Sequence, residues 1–304
     1  IMPNISVVIP VNNEEESLPS LYGELSTVLK KLKADYEIIF INDGSTDKSQ
    51  EVLTNLKKQD SNIKIIKFRA NFGKSAALSK GLEMTTKETI VMLDADLQDD
   101  PKEIPKLLNK LDEGYDLVSG WRANRSDTGV KKVSSILFNG GTRLISGVQL
   151  HDFNCGLKAF TKEVASELYL HGELHRYIPV LAAKKKFRVA EIAVNHRYRK
   201  FGKSKYGFGR SWRSILDLLT IIFLTDYATK PAHFFGMLGL FFLTIGVVSD
   251  GYVTFLKITT GSTQNKIPML LAGILFILVG IQLLSTGLIA EMITHYNRKS
   301  RTEL

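Results

Sequence analysis

Thr89-Ile90-Val91-Met92-Leu93-Asp94-Ala95-Asp96-Leu97-Gln98 is an apolar run that ends in two carboxylates one residue apart, with an amide two residues further on. An uncharged run of this length predicts a buried strand of a parallel sheet, and the loop after such a strand is where open α/β sheets hold ligands. With a single small residue between them, Asp94 and Asp96 can both face a diphosphate. Mg²⁺ or Mn²⁺ takes a few protein oxygens and completes its shell with phosphate and water, so the pair fits a divalent cation. It also fits a solvated turn, because Asp-x-Asp is a common triplet.

Working outward, apolar strand-like runs at Ile5–Pro10, Tyr36–Ile41 and Ile63–Arg69 precede it, separated by helical patterns at Leu18–Lys33, Lys48–Lys58 and Lys74–Met84. Strand and helix alternating in this way predict a parallel doubly wound sheet. The loops after its strands read Val11–Glu16, Asn42–Asp47, Ala70–Lys74 and Asp94–Gln98, so four successive strand ends carry polar side chains able to bind a ligand. Asp43–Asp47 also has the makings of a Gly turn followed by a helix cap, and Lys74 of an ordinary first-turn lysine. Beyond Pro101 the pattern predicts a helix to about Glu113, a strand at Asp116–Gly120, and a basic loop through Arg122 and Arg125. A helix over Val130–Ser146 follows, then the alternating segment His151–Lys158 entering a strand, a helix pair, and an edge strand within Arg188–Tyr198.

The 304 residues carry a net charge of +9 and a 44% hydrophobic share that is unevenly spread. No Lys, Arg, Asp or Glu occurs in Pro231–Ser249 or in Ile267–Ala290. Each run approaches or exceeds the roughly 20 residues needed to cross a bilayer, and each is apolar around the helix rather than along one face, which predicts two membrane spans. The first is expected to continue to about Leu256, with Asp250 and Tyr252 near the boundary. Arg210, Arg213 and Lys230 before the pair and Arg298, Lys299 and Arg301 after it outnumber Lys257 and Lys266 in the link, so both ends are expected on the cytoplasmic side. Ser211–Thr225 has the spacing of an amphipathic helix at a membrane surface. The organisation expected is a catalytic domain over residues 1–209, a juxtamembrane helical region over 210–230 and a two-helix hairpin over 231–304. A chain that opens on a strand gives no signal peptide to expect, and Ile1 ahead of Met2 reads as an added residue. Cys155 is the single cysteine, which excludes an internal disulfide and a cysteine zinc site. His175, His196 and His233 lack metal spacing and read as packing residues. The basic charge lacks the aromatic platforms or recognition helix of a nucleic-acid binder.

Five segments in order carry a resemblance: Val8–Glu15, Asn42–Asp47, Asn71–Ala77, Asp94–Asp99 and Arg199–Lys205. Together they resemble the family 2 glycosyltransferases of the polyisoprenyl-phosphate type, in the branch with a two-helix membrane hairpin, over about Ile5–Arg213. The resemblance implies a GT-A, Rossmann-like fold and transfer of a sugar from a nucleotide sugar, glucose from UDP-glucose in first place, to a polyisoprenyl phosphate such as undecaprenyl phosphate. GDP-mannose with dolichyl phosphate, a UDP-linked amino sugar, a polysaccharide-extending transferase and a nucleotide-binding scaffold remain alternatives.

By the same resemblance Pro10, Asn12, Glu14 and Asp43 would hold base and ribose, and Lys74, Asp94, Ala95 and Asp96 the rest of the nucleotide sugar, with Gln98 joining Asp94 and Asp96 at Mg²⁺ or Mn²⁺. Arg122, Arg125, Arg199 and Lys205 would face the lipid phosphate. From its own place beside Asn154 in the loop entering a strand, Asp152 is a candidate to orient the acceptor or a sugar hydroxyl, with a general-base role open, or to serve as a turn residue. Asn12 and Asn42 stand where family members often have Tyr and Asp. The resemblance further implies an inner-membrane homotetramer with a cytoplasmic catalytic domain.

Overall fold

The computed structural model describes residues 3–123, 139–144, 146–198, 230–263 and 265–302, with side chains to residue 296. The expected helix over Ser211–Thr225, Arg125, Arg199, Lys205 and most of the expected helix over Val130–Ser146 lie outside them; residues 139–144 are helical. The chain divides into two compact units, Ile1–Leu218 and Leu219–Leu304.

In the first unit seven strands form one sheet: β1 (Asn4–Val11), β2 (Asp35–Asn42), β3 (Ile63–Lys67), β4 (Thr89–Met92), β5 (Leu117–Trp121), β6 (Lys158–Thr161) and β7 (Val189–Ala193). Their order is β3-β2-β1-β4-β6-β5-β7. Ile5, Val7, Val8 and Ile9 of β1 are all fully buried, as a strand covered by helices on both faces must be. Residues alternate between the faces. Val7, Ile9, Ile38 and Phe40 join the core with Leu18, Leu21, Leu25 and Leu29 of α1 (Leu18–Lys31) and Leu53 of α2 (Ser49–Gln59). Each such leucine stabilises the sheet by about 1.5–3 kcal/mol. Val8 and Ile41 face the other way and meet α3 (Lys74–Glu83), where a side chain on Gly81 would sit 2.5 Å from Val8 Cγ1 and 2.7 Å from Ile41 Cδ1. That close approach fixes α3 against the sheet and therefore fixes where its first turn points.

The sheet is mainly parallel, as expected. β3, β2, β1 and β4 run parallel, but β6 pairs antiparallel with both β4 and β5. A reversed strand enters the sheet where its parallel neighbours leave it, so the segment before β6 reaches the same edge as the end of β4. β7 pairs parallel with β5 at the sheet's border, as the sequence predicts. A 3-10 turn at Pro101–Glu103, capped by Asp100 Oδ1 accepting the Lys102 N–H at 3.0 Å, opens α4 (Ile104–Asp112). Thr161 caps α5 (Lys162–Glu167), and α6 (Ile178–Lys184) precedes β7.

The second unit holds α7 (Pro231–Thr260) and α8 (Ile267–Thr302). Pro231–Thr260 and Ile267–Tyr296 are long and apolar enough to cross a membrane. At about 1.5 Å rise per residue each 30-residue segment runs about 45 Å, beyond the roughly 30 Å hydrocarbon core. The pair is antiparallel, with Gly239 against Gly280, Gly246 against Gly273 and Gly287 against Ala232. Phe241, Leu271 and Leu278 are more than half exposed on the outside, where a buried core helix would be covered. Asp250, expected at the membrane boundary, packs its Oδ1 against Gly273 on the inner face of the pair, while Tyr252 lies under the Lys266 ammonium at 5.5 Å.

Candidate active site

Asp94 follows directly on β4, whose ladder is extended by the Leu93 N–H donating to Val8 O at 3.2 Å. Its carboxylate meets the Lys74 ammonium on both oxygens, at 2.5 and 2.7 Å. Lys74 is the first residue of α3, and the loop delivering it is set by Asp43, which accepts the Phe72 N–H at 2.7 Å and the Gly73 N–H at 3.0 Å. Both oxygens of Asp43 are thus engaged by backbone, which gives this buried residue a structural task beside the nucleotide contact that the resemblance implies. Burial would raise the Asp94 pKa, but the Lys74 charge, with Lys158 and Arg122 behind it, holds the carboxyl below its usual range.

Asp96 turns back on the chain and accepts the Gln98 N–H at 3.1 Å, around Leu97 in the left-handed region at φ 61°. Gln98 O accepts the Arg197 N–H at 2.8 Å and lies 3.1 Å from His196 Nδ1, so the strap after β7 holds this loop. The loop after β1 is tied to the loop after β2: Asn12 Nδ2 donates to Asp43 O at 2.7 Å, the Glu14 N–H to Ser49 Oγ at 2.9 Å, and Asn13 accepts the Thr46 N–H at 2.8 Å. Pro10, which has no N–H, lies past the last β1–β4 pair, Val8 with Met92. Ala95, between the two carboxylates in sequence, is buried.

Arg122 follows β5 and is paired bidentately with Asp152, Nε to Oδ2 at 2.6 Å and Nη2 to Oδ1 at 3.0 Å. Both side chains are buried, 13% and 3% exposed. Asp152 also accepts the Asn154 N–H at 3.1 Å, so the turn-forming and ion-pairing tasks coexist. The preceding residues repeat the pattern: Trp121 stacks on His151 at 4.4 Å, and Glu191 of β7 accepts the His151 N–H at 2.8 Å and faces its Nδ1.

Three residues that the sequence reading passed over complete the site. Asp99 is buried, and burial together with the charge of Asp94 pushes its pKa up to about 7. Gly156 lies where a side chain would come 2.5 Å from Asp99 Oδ2 and 2.6 Å from Asp94 Oδ2, so the absence of a Cβ lets the two carboxylates meet over the backbone. Lys158 at the start of β6 is buried and its ammonium bonds to Cys155 O; burial lowers its pKa, as does Lys74. Cys155 is itself buried, and its thiol is pushed up to about 12, chiefly by burial, so it is no thiolate nucleophile.

The donors are hard oxygens, which suits Mg²⁺ or Mn²⁺. Among the described residues no three of His, Cys, Asp or Glu converge on one point. A divalent cation here would draw one or two carboxylates from the chain and its other ligands from phosphate and water, which is compatible with Mg²⁺.

A mainly parallel sheet with acids at the end of β4 and a reversed β6 beside it is the GT-A arrangement. Glucosyl-3-phosphoglycerate synthase from Mycobacterium tuberculosis bound to phosphoglyceric acid matches with a TM-score of 0.58 at 23% identity, over 72% of this chain and 79% of that one. The same enzyme with Mn²⁺, UDP-glucose and phosphoglyceric acid matches at 0.58 and 22%, over 75% and 82%. At that identity the likeness shows the fold.

The chain belongs to glycosyl transferase family 2, whose profile matches residues 6–169. It is also 36% identical over 302 residues to a dodecaprenyl-phosphate galacturonate synthase of Rhizobium johnstonii, covering 96% of this chain and 88% of that one. The protein is a glycosyltransferase.

Proposed function

We propose that this enzyme transfers a sugar from a nucleoside diphosphate to a polyisoprenyl phosphate at the cytoplasmic face of the inner membrane. The observation that carries the reading is the meeting of Lys74, Asp94 and Asp99 with the Arg122–Asp152 pair at one edge of the sheet, in a chain that also carries two apolar helices. The acceptor class is supported by the Rhizobium relative, whose name states a polyprenyl phosphate. That name points to galacturonate, whereas the resemblance read from the motifs favours glucose from UDP-glucose.

A phosphate monoester is already close to doubly charged at neutral pH, so the nucleophile needs little activation. One acceptor oxygen attacks the anomeric carbon, the bond from that carbon to the diphosphate breaks, and the electron pair leaves on the diphosphate with inversion. Catalysis then rests on aligning two anions and neutralising the one that departs. Lys74 offsets the diphosphate as a point charge; the guanidinium of Arg122, set by Asp152, serves the acceptor phosphate, with Arg125, Arg199 and Lys205 beside it. Asp94, Asp96 and Gln98 would hold Mg²⁺ or Mn²⁺, which supplies further charge to the leaving group. Asn12, Glu14 and Pro10 shape the base and ribose subsite. A homotetramer joined in part through the hairpin, and the division at residues 209 and 230, belong to the same reading.

The test is product formation by the purified full chain from undecaprenyl phosphate and labelled UDP-glucose, UDP-galacturonate and GDP-mannose, with Mg²⁺ or Mn²⁺ and with chelator. One donor giving a labelled lipid, lost with chelator, is the expected result. No labelled lipid from any donor, by a protein that still binds UDP, overturns the acceptor assignment.

A further inference from the structure

Lys74 places its ammonium against both oxygens of Asp94, the carboxylate that the proposed function gives to a divalent cation. A cation approaching Asp94 therefore meets a positive charge already in place. The two ends of this ion pair differ in freedom. Asp94 has a short side chain on the end of a central strand. Lys74 has a backbone held from both sides, by Asp43 through the Phe72 and Gly73 N–H groups and by Ser75, whose Oγ accepts the His175 N–H at 3.2 Å and lies 2.9 Å from His175 Nδ1. Its side chain is a four-carbon stem, and one third of it is exposed. A movement that separates the pair thus resides in the lysine stem while the rest of the site stays fixed.

A nucleoside diphosphate changes the balance of charge. It brings enough negative charge to satisfy an ammonium and a divalent cation together, whereas without it the two compete for Asp94, with only the charges of Asp96 and Asp99 near by. We propose that Lys74 occupies Asp94 in place of the cation while the donor is absent and passes to the donor's diphosphate when it binds, so that cation and nucleoside diphosphate enter as a cooperative pair. The Arg122–Asp152 pair, buried on both sides, does not exchange in this way. Linkage makes the effect reciprocal: the factor by which nucleotide tightens the cation is the factor by which the cation tightens nucleotide. The inference rests on the reading of Asp94 and Asp96 as cation carboxylates.

The experiment is calorimetric titration of the full chain in detergent with MnCl₂, alone and with saturating UDP, corrected for Mn²⁺ held by UDP in solution, on the wild type, Lys74→Met and Lys74→Arg. In the wild type UDP is expected to tighten Mn²⁺ by about tenfold or more. Lys74→Met is expected to bind Mn²⁺ alone about tenfold more tightly than the wild type, with most of the UDP effect gone, and Lys74→Arg to keep the wild-type coupling. Equal or weaker Mn²⁺ binding by Lys74→Met without UDP overturns the exchange, since a lysine that only supports the loop gives that result. A wild type that takes up no Mn²⁺ even with UDP overturns the cation reading and the exchange with it, and is told apart because it needs no variant.

Discussion

Lys74–Asp94 and Arg122–Asp152 are both bidentate pairs of a cation and a carboxylate at the same edge of the sheet, yet their surroundings differ. Lys74 and Asp94 are 33% and 31% exposed, Arg122 and Asp152 only 13% and 3%. A partly exposed pair is worth little in net stability, and water or a ligand can replace either partner. In a buried pair, removing one member leaves the other charged and desolvated, which costs about 3–5 kcal/mol. The guanidinium's pKa is raised further despite burial, because Asp152 receives two of its N–H groups. Burial thus divides one chemistry into two settings, a partly exposed pair after β4 and a largely buried one in front of the loop that enters β6.

The largest effect that separates them is on folding. Asp152→Ala is expected to lower stability by about 3–5 kcal/mol, read by urea denaturation with Trp fluorescence, while Lys74→Met stays within about 1 kcal/mol of the wild type. Equal midpoints for the two variants would erase the distinction. Next comes Asp96→Asn, expected to reduce turnover by at least about a hundredfold with an unchanged denaturation midpoint; full activity would remove the cation from the donor side. Gly156→Ala presses a methyl group between Asp94 and Asp99, so a loss of about 1–3 kcal/mol and weaker Mn²⁺ uptake are expected. An alanine variant with native stability and Mn²⁺ uptake would mean that the two carboxylates can part freely.

The smallest effect lies away from the site. Glu37 is buried, which opposes its ionisation, but Lys64, Ser6 and Thr86 outweigh that and lower its pKa. Its stabilising contribution is therefore present above the unfolded carboxylate pKa and lost as pH falls below about 4. Glu37→Gln should flatten the acid limb of the stability profile and leave turnover at neutral pH alone, which urea titrations at several pH values will show.

The first four strands were legible because burial on both faces leaves nearly unbroken apolar runs, and the two long C-terminal helices because each is an uninterrupted apolar stretch. Asp94, Asp96 and Lys74 were singled out from their positions after strands. Asp99 was not, because an acid in the run Leu97–Asp100 reads as solvated, and its burial is created by Gly156, some sixty residues on. The orientation of β6 was hidden for a related reason: four residues, Lys158–Thr161, look alike in either direction, and the pairing that decides it is with β4 and β5. Lys158 inside a strand gives no sign that its ammonium is buried. A glycine followed two residues later by a lysine at the mouth of a strand was the available signal for both.

The place of β6 also orders events as the chain emerges. β1 to β4 lie within the first 92 residues and make a contiguous half-sheet. β5 is made soon afterwards, but its partners in the sheet are β6 and β7, both later in the chain, and β6 links it to β4. The β1–β4 half of the sheet can therefore exist during synthesis while Trp121 and Arg122 wait for His151 and Asp152, so an interrupted chain would hold the Lys74–Asp94 pair without the Arg122–Asp152 pair.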